Sequence, residues 1–232
     1  MATVYLIPSL LAEDGLNALP VYLLDAIKNC QVFFVENERT TRRFFKQIWK
    51  EMVIDNYEWE TITDQPSTAQ QFQKALLANK NIGIVSEAGC PGEADPGQSL
   101  IAIAQRMEVT VKPLVGPSSI LLALMASGMN GQQFRFLGYL PIDAQQRLKT
   151  IKEMEQESAK KKCTQIFIET PYRNNQLIEA LTKNCNASTK LCIAVDITGS
   201  NESIQTRTIA DWKKQPIDIH KKTAIFLLDA TL

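Results

Sequence analysis

The stretch "VSEAGCPGEADPG", Val85 to Gly97, concentrates chemistry-bearing side chains in one place: a serine, a cysteine, two glutamates and an aspartate among three glycines and two prolines. Such a loop leaves backbone N–H groups unpaired, and its glycines let another molecule approach the main chain closely. A second candidate is "VGPSS" (115–119), where a turn opens onto the apolar run "ILLALMASG" and Ser118 or Ser119 can cap a helix. A third is "ETPYR" (169–173), which ends the apolar run "TQIFI" with a carboxylate, an aromatic ring and a guanidinium.

Several chemistries are excluded by residue supply. The single histidine, His220, rules out a multi-histidine metal site, and any Ser-His or Cys-His hydrolase would rest on it alone. Five cysteines, Cys30, Cys90, Cys163, Cys185 and Cys192, are odd in number and lack CxxC spacing, so neither a disulfide framework nor a zinc site is expected and a cytoplasmic location fits. Cys90 has no neighbouring base in sequence to activate it as a nucleophile. Neither GxGxxG nor GxxxxGK[ST] occurs, which removes the usual dinucleotide and phosphate-loop motifs. With 25 basic and 25 acidic residues, global charge neither demands nor forbids a nucleic-acid partner. "MATVYLIPSL" lacks a basic segment before its apolar run and no apolar stretch nears ~18 residues, so neither a signal peptide nor a membrane span is expected.

The elements that must position these residues follow from periodicity. Short apolar, β-branched runs at 3–7, 31–36, 81–86, 109–115, 134–140, 164–170, 191–198 and 223–229 read as strands. Helical spacing at 17–30, 67–80, 118–128 and 175–185 separates most of them, which implies α/β layers with parallel-rich sheets. The charged run 142–163 reads as a solvated amphipathic helix ending in Lys160, Lys161 and Lys162. In "RTTRRFFKQIWK" (39–50), Phe44, Phe45 and Ile48 fall on one helix face and are expected inside. With 45% apolar residues in 232, two domains are expected, 1–114 and 115–232, joined at "KPLVGPSS". All three candidate segments then stand at strand ends, where α/β proteins gather ligands. Asp95 either caps the helix that follows or faces a ligand.

Taken in order, "VSEAGCPGEADPG", "LVGPSSILLALMASGMNGQQFRFLGYLP" and "IFIETPYRNNQLIEAL" resemble the tetrapyrrole methylase superfamily of S-adenosylmethionine-dependent enzymes. "VENERTTRRF" (35–44) resembles the acid-x-x-Arg-x-Thr segment of the branch that methylates ribose 2′-hydroxyls of small-subunit ribosomal RNA. The resemblance implies two α/β domains with S-adenosylmethionine held in the cleft between them, a homodimer, and no metal. It implies cofactor contacts at Pro8, Glu87, Ala88, Gly89, Cys90, Ser118, Ser119, Ile168, Ala194, Thr223 and Ala224. Substrate contacts are expected at Arg39, Arg42, Arg43, Tyr172 and Arg173, and a proton-accepting carboxylate at Glu36 or Glu169.

The chain departs from that branch at three points. The first strand runs into "IPSLLAEDG" instead of Pro-x-Pro-x-Gly-Asn, Val195 stands where an arginine is usual, and Tyr172 replaces a histidine. RNA methylation is the expected activity. A small heterocyclic acceptor such as a tetrapyrrole, or a non-catalytic cofactor-binding protein, are the alternatives.

Overall fold

The computed structural model describes residues 2–231, and the chain divides into two compact units, one ending at Ser118 and the other beginning at Ser119.

In the N-terminal unit the order is β1 (Thr3–Ile7), α1 (Leu23–Lys28), β2 (Val32–Val35), α2 (Glu38–Ile48), β3 (Glu58–Thr61), α3 (Pro66–Leu77), β4 (Ile82–Val85), α4 (Gln98–Arg106) and β5 (Thr110–Pro113). The five strands form one all-parallel sheet in the order β3-β2-β4-β1-β5. Helices cover both faces, which is why β2 ("VFFV") and β4 ("IGIV") are apolar throughout instead of alternating. Successive residues of β2 serve opposite cores. Phe34 packs with Val4, Ile84, Phe72 and Leu100 on one side, and Phe33 packs with Ile7, Val85, Leu23 and Phe45 on the other. Phe33 and Phe45 meet edge to face at 4.9 Å, an arrangement aromatic rings favour.

Pro20 stops the helix expected over 17–30 from running as one piece. A single 3₁₀ turn, Leu16–Ala18, precedes it and α1 begins only at Leu23, because proline supplies no N–H and clashes with the preceding turn. The helix expected over 67–80 is α3, with Pro66 in its first turn, where a missing N–H costs nothing.

The C-terminal unit contains α5 (Ser119–Ser127), β6 (Phe134–Tyr139), α6 (Ala144–Lys161), β7 (Thr164–Ile168), α7 (Asn174–Asn184), β8 (Lys190–Val195), β9 (Ser203–Thr208), α8 (Ile209–Lys214) and β10 (Ala224–Asp229). Its sheet has the order β6-β7-β10-β8-β9, with β6 and β7 parallel and the remaining pairs antiparallel. One core joins the sheet to α6, α7 and α8 through Ile151, Leu177, Leu181, Trp212, Phe167 and Phe226. The charged run 142–163 contains α6 as expected: Asp143 caps it by accepting from the N–H groups of Gln145 and Gln146. Its inner face carries a carboxylate that the periodicity did not single out. Buried Glu155 accepts from the Asn186 N–H at 2.7 Å, Asn186 Nδ2 at 3.0 Å and Thr189 Oγ1 at 2.5 Å, pinning the turn before β8 to the helix.

Candidate functional site

The parallel order of the N-terminal sheet creates the site before any side chain is considered. From β1 the chain crosses past β4 to reach β2, whereas from β4 it crosses past β1 to reach β5. The loops leaving these adjacent strands therefore diverge, and a crevice opens between them at the carboxyl edge, where ligands of open α/β sheets bind. A cavity of about 480 Å³ occupies it. One wall is residues 9–14 after β1, a second is Thr40, Thr41, Arg43, Phe44 and Gln47 of α2, and a third is Ser86, Glu87 and Ala88 after β4.

The glycine-rich loop is built against its neighbours. The Ser9 N–H donates to the Gly89 carbonyl at 2.9 Å, and Ser9 Oγ donates to the Ser86 carbonyl at 2.9 Å. Ser86 Oγ donates to the Gly89 carbonyl at 3.0 Å, so both loop oxygens are turned inward and held. Gly89 sits at φ +74°, a conformation that a side chain strains, and a Cβ there would press on Leu11 and the Pro117 carbonyl. Gly116 is flush against Pro8: a Cβ there would lie 2.1 Å from the proline ring. Downstream, Asp95 Oδ1 accepts from the N–H groups of Gly92 at 2.9 Å and Gly97 at 3.0 Å, so it organises the loop ahead of α4. Burial raises the Asp95 carboxyl above the usual carboxylate range, and these N–H groups draw it part of the way back.

Within the protein, the N–H groups of Ala88, Gly89 and Cys90 have no hydrogen-bond acceptor among the described residues. Three successive free donors beside a strand end suit a carboxylate or ribose oxygen. The Cys90 thiol, half-buried and beside Glu93, is pushed up to about 11 by burial and by that carboxylate, so it stays protonated at neutral pH. It lies 3.6 Å from the Pro117 carbonyl.

Glu36 follows β2 and accepts the Glu87 N–H on Oε2 at 3.0 Å, joining the β2 exit to the loop. Burial raises its carboxyl; the Glu87 N–H partly offsets this, and the Asp95 and Glu87 carboxylates add to the rise. Asn37 then caps α2 by accepting from the N–H groups of Arg39 and Thr40. The helix is sorted by face: Phe44 and Phe45 are buried, Ile48 packs against the same core, and Thr40, Arg43 and Gln47 turn to the cavity. Arg42 is engaged elsewhere, ion-paired with Glu38 and 5.1 Å over the Trp59 ring. Arg39 is exposed at the helix start.

In the C-terminal unit, Ile168, Ile225, Ala194 and Ile204 stand in one row across β7, β10, β8 and β9. This register brings Ile168, Ala194 and Ala224 together at one end of the sheet, while exposed Thr223 precedes β10 and donates from Oγ1 to Asp196 at 3.0 Å. α5 starts at Ser119, while buried Ser118 is the last residue of the N-terminal unit. Glu169 Oε1 accepts from the Thr170 N–H, Arg173 Nε at 2.9 Å and Arg173 Nη2 at 2.6 Å, with its side chain 1% exposed. Tyr172 is 71% exposed. Among the described residues no group of three or more metal-ligating side chains assembles, and no helix is long and apolar enough to cross a membrane.

Sequence reasoning missed the part played by Ser9, Glu13, Asp14, Thr40 and Gln47. The signal for Thr40 and Gln47 was their i−3 and i+4 spacing from Arg43. No local pattern marks Ser9, whose partners lie 77 and 80 residues away.

Comparison with known proteins gives a consistent answer. Residues 14–212 match the family described as Tetrapyrrole (Corrin/Porphyrin) Methylases. The ribosomal RNA small subunit methyltransferase I of Vibrio cholerae is 28% identical over 210 residues, 89% of this chain and 69% of that protein. The matched stretches take up 45 to 69% of the first curated relatives' own lengths. Diphthine synthase shares the fold with a TM-score of 0.69 at 13% identity, over 99% of this chain and 90% of that one. Uroporphyrin-III C-methyl transferase from Thermus thermophilus, complexed with S-adenyl homocysteine, gives 0.56 at 11%, over 99% and 97%.

Proposed function

Because the chain belongs to the tetrapyrrole (corrin/porphyrin) methylase family, we propose that it is a methyltransferase that uses S-adenosylmethionine to methylate a ribose 2′-hydroxyl of RNA. The observation that carries this reading is the cavity at the β1/β4 crevice. Glu13, Asp14 and Glu87 line it against a single Arg43, so a tetrapyrrole with several carboxylates on the ring that must enter meets repulsion there, whereas an RNA nucleotide can insert an uncharged base and ribose and leave its phosphates outside. The relatives named as ribosomal RNA methyltransferases support the same acceptor class.

When bound, S-adenosylmethionine supplies the electrophilic methyl group. The free N–H groups of Ala88, Gly89 and Cys90, beside Pro8, fit the oxygens at its polar ends. Ser118, Ser119, Ile168, Ala194, Thr223 and Ala224 are the further cofactor contacts of this reading. The protein's own work is alignment and exclusion of water, which suffices for an in-line displacement. Glu36 is suited to accept the hydroxyl proton late, since its raised carboxyl holds a proton better than an ordinary glutamate. Glu169, whose Oε1 already takes three donors, holds Arg173 and the segment around Tyr172 instead. Arg43 at the cavity and Arg39, exposed at the start of α2, meet phosphate.

The reading includes a cytoplasmic homodimer. Leu121 and Met125 of α5, and Tyr139 and Ile142 at the end of edge strand β6, expose apolar surface that a second copy would cover. Light scattering giving a monomer mass at micromolar concentration rejects the dimer. The experiment for the function is transfer of labelled methyl from S-adenosylmethionine to total RNA and, separately, to a small-molecule extract. Label in RNA alone is expected, and label only in the extract overturns the acceptor.

A further inference from the structure

We infer that Tyr172, His220 and Lys221 form a stacking platform for an unpaired base of single-stranded RNA, with Lys221 and Lys222 meeting its phosphates. The inference rests on the RNA reading above and adds to it a contact surface on the C-terminal unit. Tyr172 is 71% exposed, far more than a tyrosine needs to reach water with its hydroxyl alone. His220, the chain's sole histidine, stands against it at 6.0 Å between ring centroids and 74°, and Lys221 Nζ lies 6.0 Å from the tyrosine ring. An exposed aromatic ring beside a lysine is the arrangement that takes an unstacked base, because every base offers a π face and every linkage a negative charge.

The platform is built, not incidental. Asn174, fully buried, donates from Nδ2 to the Lys222 carbonyl at 2.8 Å and the Ile219 carbonyl at 3.3 Å. The Lys221 N–H donates to the Pro171 carbonyl at 3.0 Å, and Lys221 itself takes φ +64°, a turn that brings its side chain back toward Tyr172. Asn175 joins in both directions, donating to Asp218 Oδ1 at 2.8 Å and accepting the Ile219 N–H at 3.1 Å. Two segments about 45 residues apart in sequence, 171–175 and 218–222, are thus stapled together with their aromatic and basic side chains outward. Charge supply agrees. Arg173 is committed to Glu169; Asp218, which accepts from Asn175 and the His220 N–H, keeps its charge and attracts Lys222 and His220, so exposed Lys221 is the cation left free for phosphate and Lys222 is shared with Asp218.

The test measures binding of a short unstructured RNA oligonucleotide by fluorescence anisotropy across a salt series. Wild type, Y172A, Y172F and a K221A/K222A double variant are compared, each checked for an unchanged melting temperature. Y172A is expected to weaken binding about tenfold while Y172F stays within about twofold, since the ring and not the hydroxyl carries the stacking. The double variant should lower the slope of log affinity against log salt by about 1 to 1.5, the share of two phosphate contacts on a single strand. Y172A binding as tightly as wild type, or an unchanged slope in the double variant, overturns the platform. Methyl transfer to total RNA by the wild type separates the two readings. Transfer with wild-type affinity in Y172A removes the platform alone, and neither binding nor transfer by the wild type removes both.

Discussion

The Ser9 N–H and the Gly89 carbonyl meet at 2.9 Å between the loops that leave β1 and β4, occupying the loop's oxygen while the N–H groups of Ala88, Gly89 and Cys90 keep no acceptor among the described residues. Gly89→Val disturbs this arrangement twice, through φ +74° and through a side chain pressed on Leu11 and the Pro117 carbonyl. Loss of S-adenosylmethionine binding by calorimetry is expected, with a stability cost of about 1–3 kcal/mol. Unchanged affinity would mean that the loop is only a connection.

Glu36→Gln separates proton acceptance from loop holding, since a glutamine oxygen can still accept the Glu87 N–H. If Glu36 accepts the acceptor's proton, kcat falls about 100-fold or more while cofactor affinity stays within about threefold. Wild-type activity should rise with pH through the raised Glu36 carboxyl and lose that limb in the variant. Stability runs the other way. A folded-state carboxyl raised above its unfolded value of about 4 stabilises below that pH, and this contribution is lost as pH rises through the folded value. The variant should therefore gain melting temperature relative to wild type between pH 4 and neutrality.

Arg43 and Arg42 are neighbours with different jobs, and single substitutions should separate them. Arg43→Ala, at the cavity, should weaken RNA binding and reduce its salt dependence without lowering the melting temperature. Arg42→Ala, which gives up the Glu38 pair and the Trp59 ring, should cost about 1 kcal/mol in chemical denaturation and leave RNA binding near wild type.

Cys90 should alkylate slowly at pH 7.5 despite lying in the loop, with the rate climbing toward pH 11 as the thiolate forms. Mass spectrometry after iodoacetamide treatment checks this directly. Rapid modification at neutral pH would mean that a base near the thiol has been overlooked.

What the sequence revealed and what it hid divide along physical lines. All eight expected strands are present, and β1 matches residue for residue at Thr3–Ile7; β2, β4, β7, β8 and β10 carry buried apolar runs, whereas β5 and β6 are exposed edge strands that still keep enough apolar residues to be read. The two unexpected strands, β3 ("EWET") and β9 ("SIQTRT"), are edge strands with half-exposed faces, where polar and charged residues are tolerated and the apolar signal fades. At the site, the glycine-rich loop announced itself through composition. The partners that shape it did not, since Ser9, Glu36 and Gly116 reach it only through pairing of β1, β2, β4 and β5. Two arginines side by side in "TRR" look equivalent until helix phase turns one to the cavity and the other to Trp59.

The divergence of the β1 and β4 connections has an evolutionary consequence. Because the gap arises from strand order, either flanking loop can be rewritten without closing it, provided the Ser9–Gly89 tie survives. The loop after β4 carries the backbone donors, whereas residues 9–14 supply a wall whose composition is free to drift. If the loop after β4 holds the methyl donor, as proposed above, a lineage can exchange one acceptor for another by editing the first loop alone. The acidic "AEDG" of this chain is what such an edit would look like.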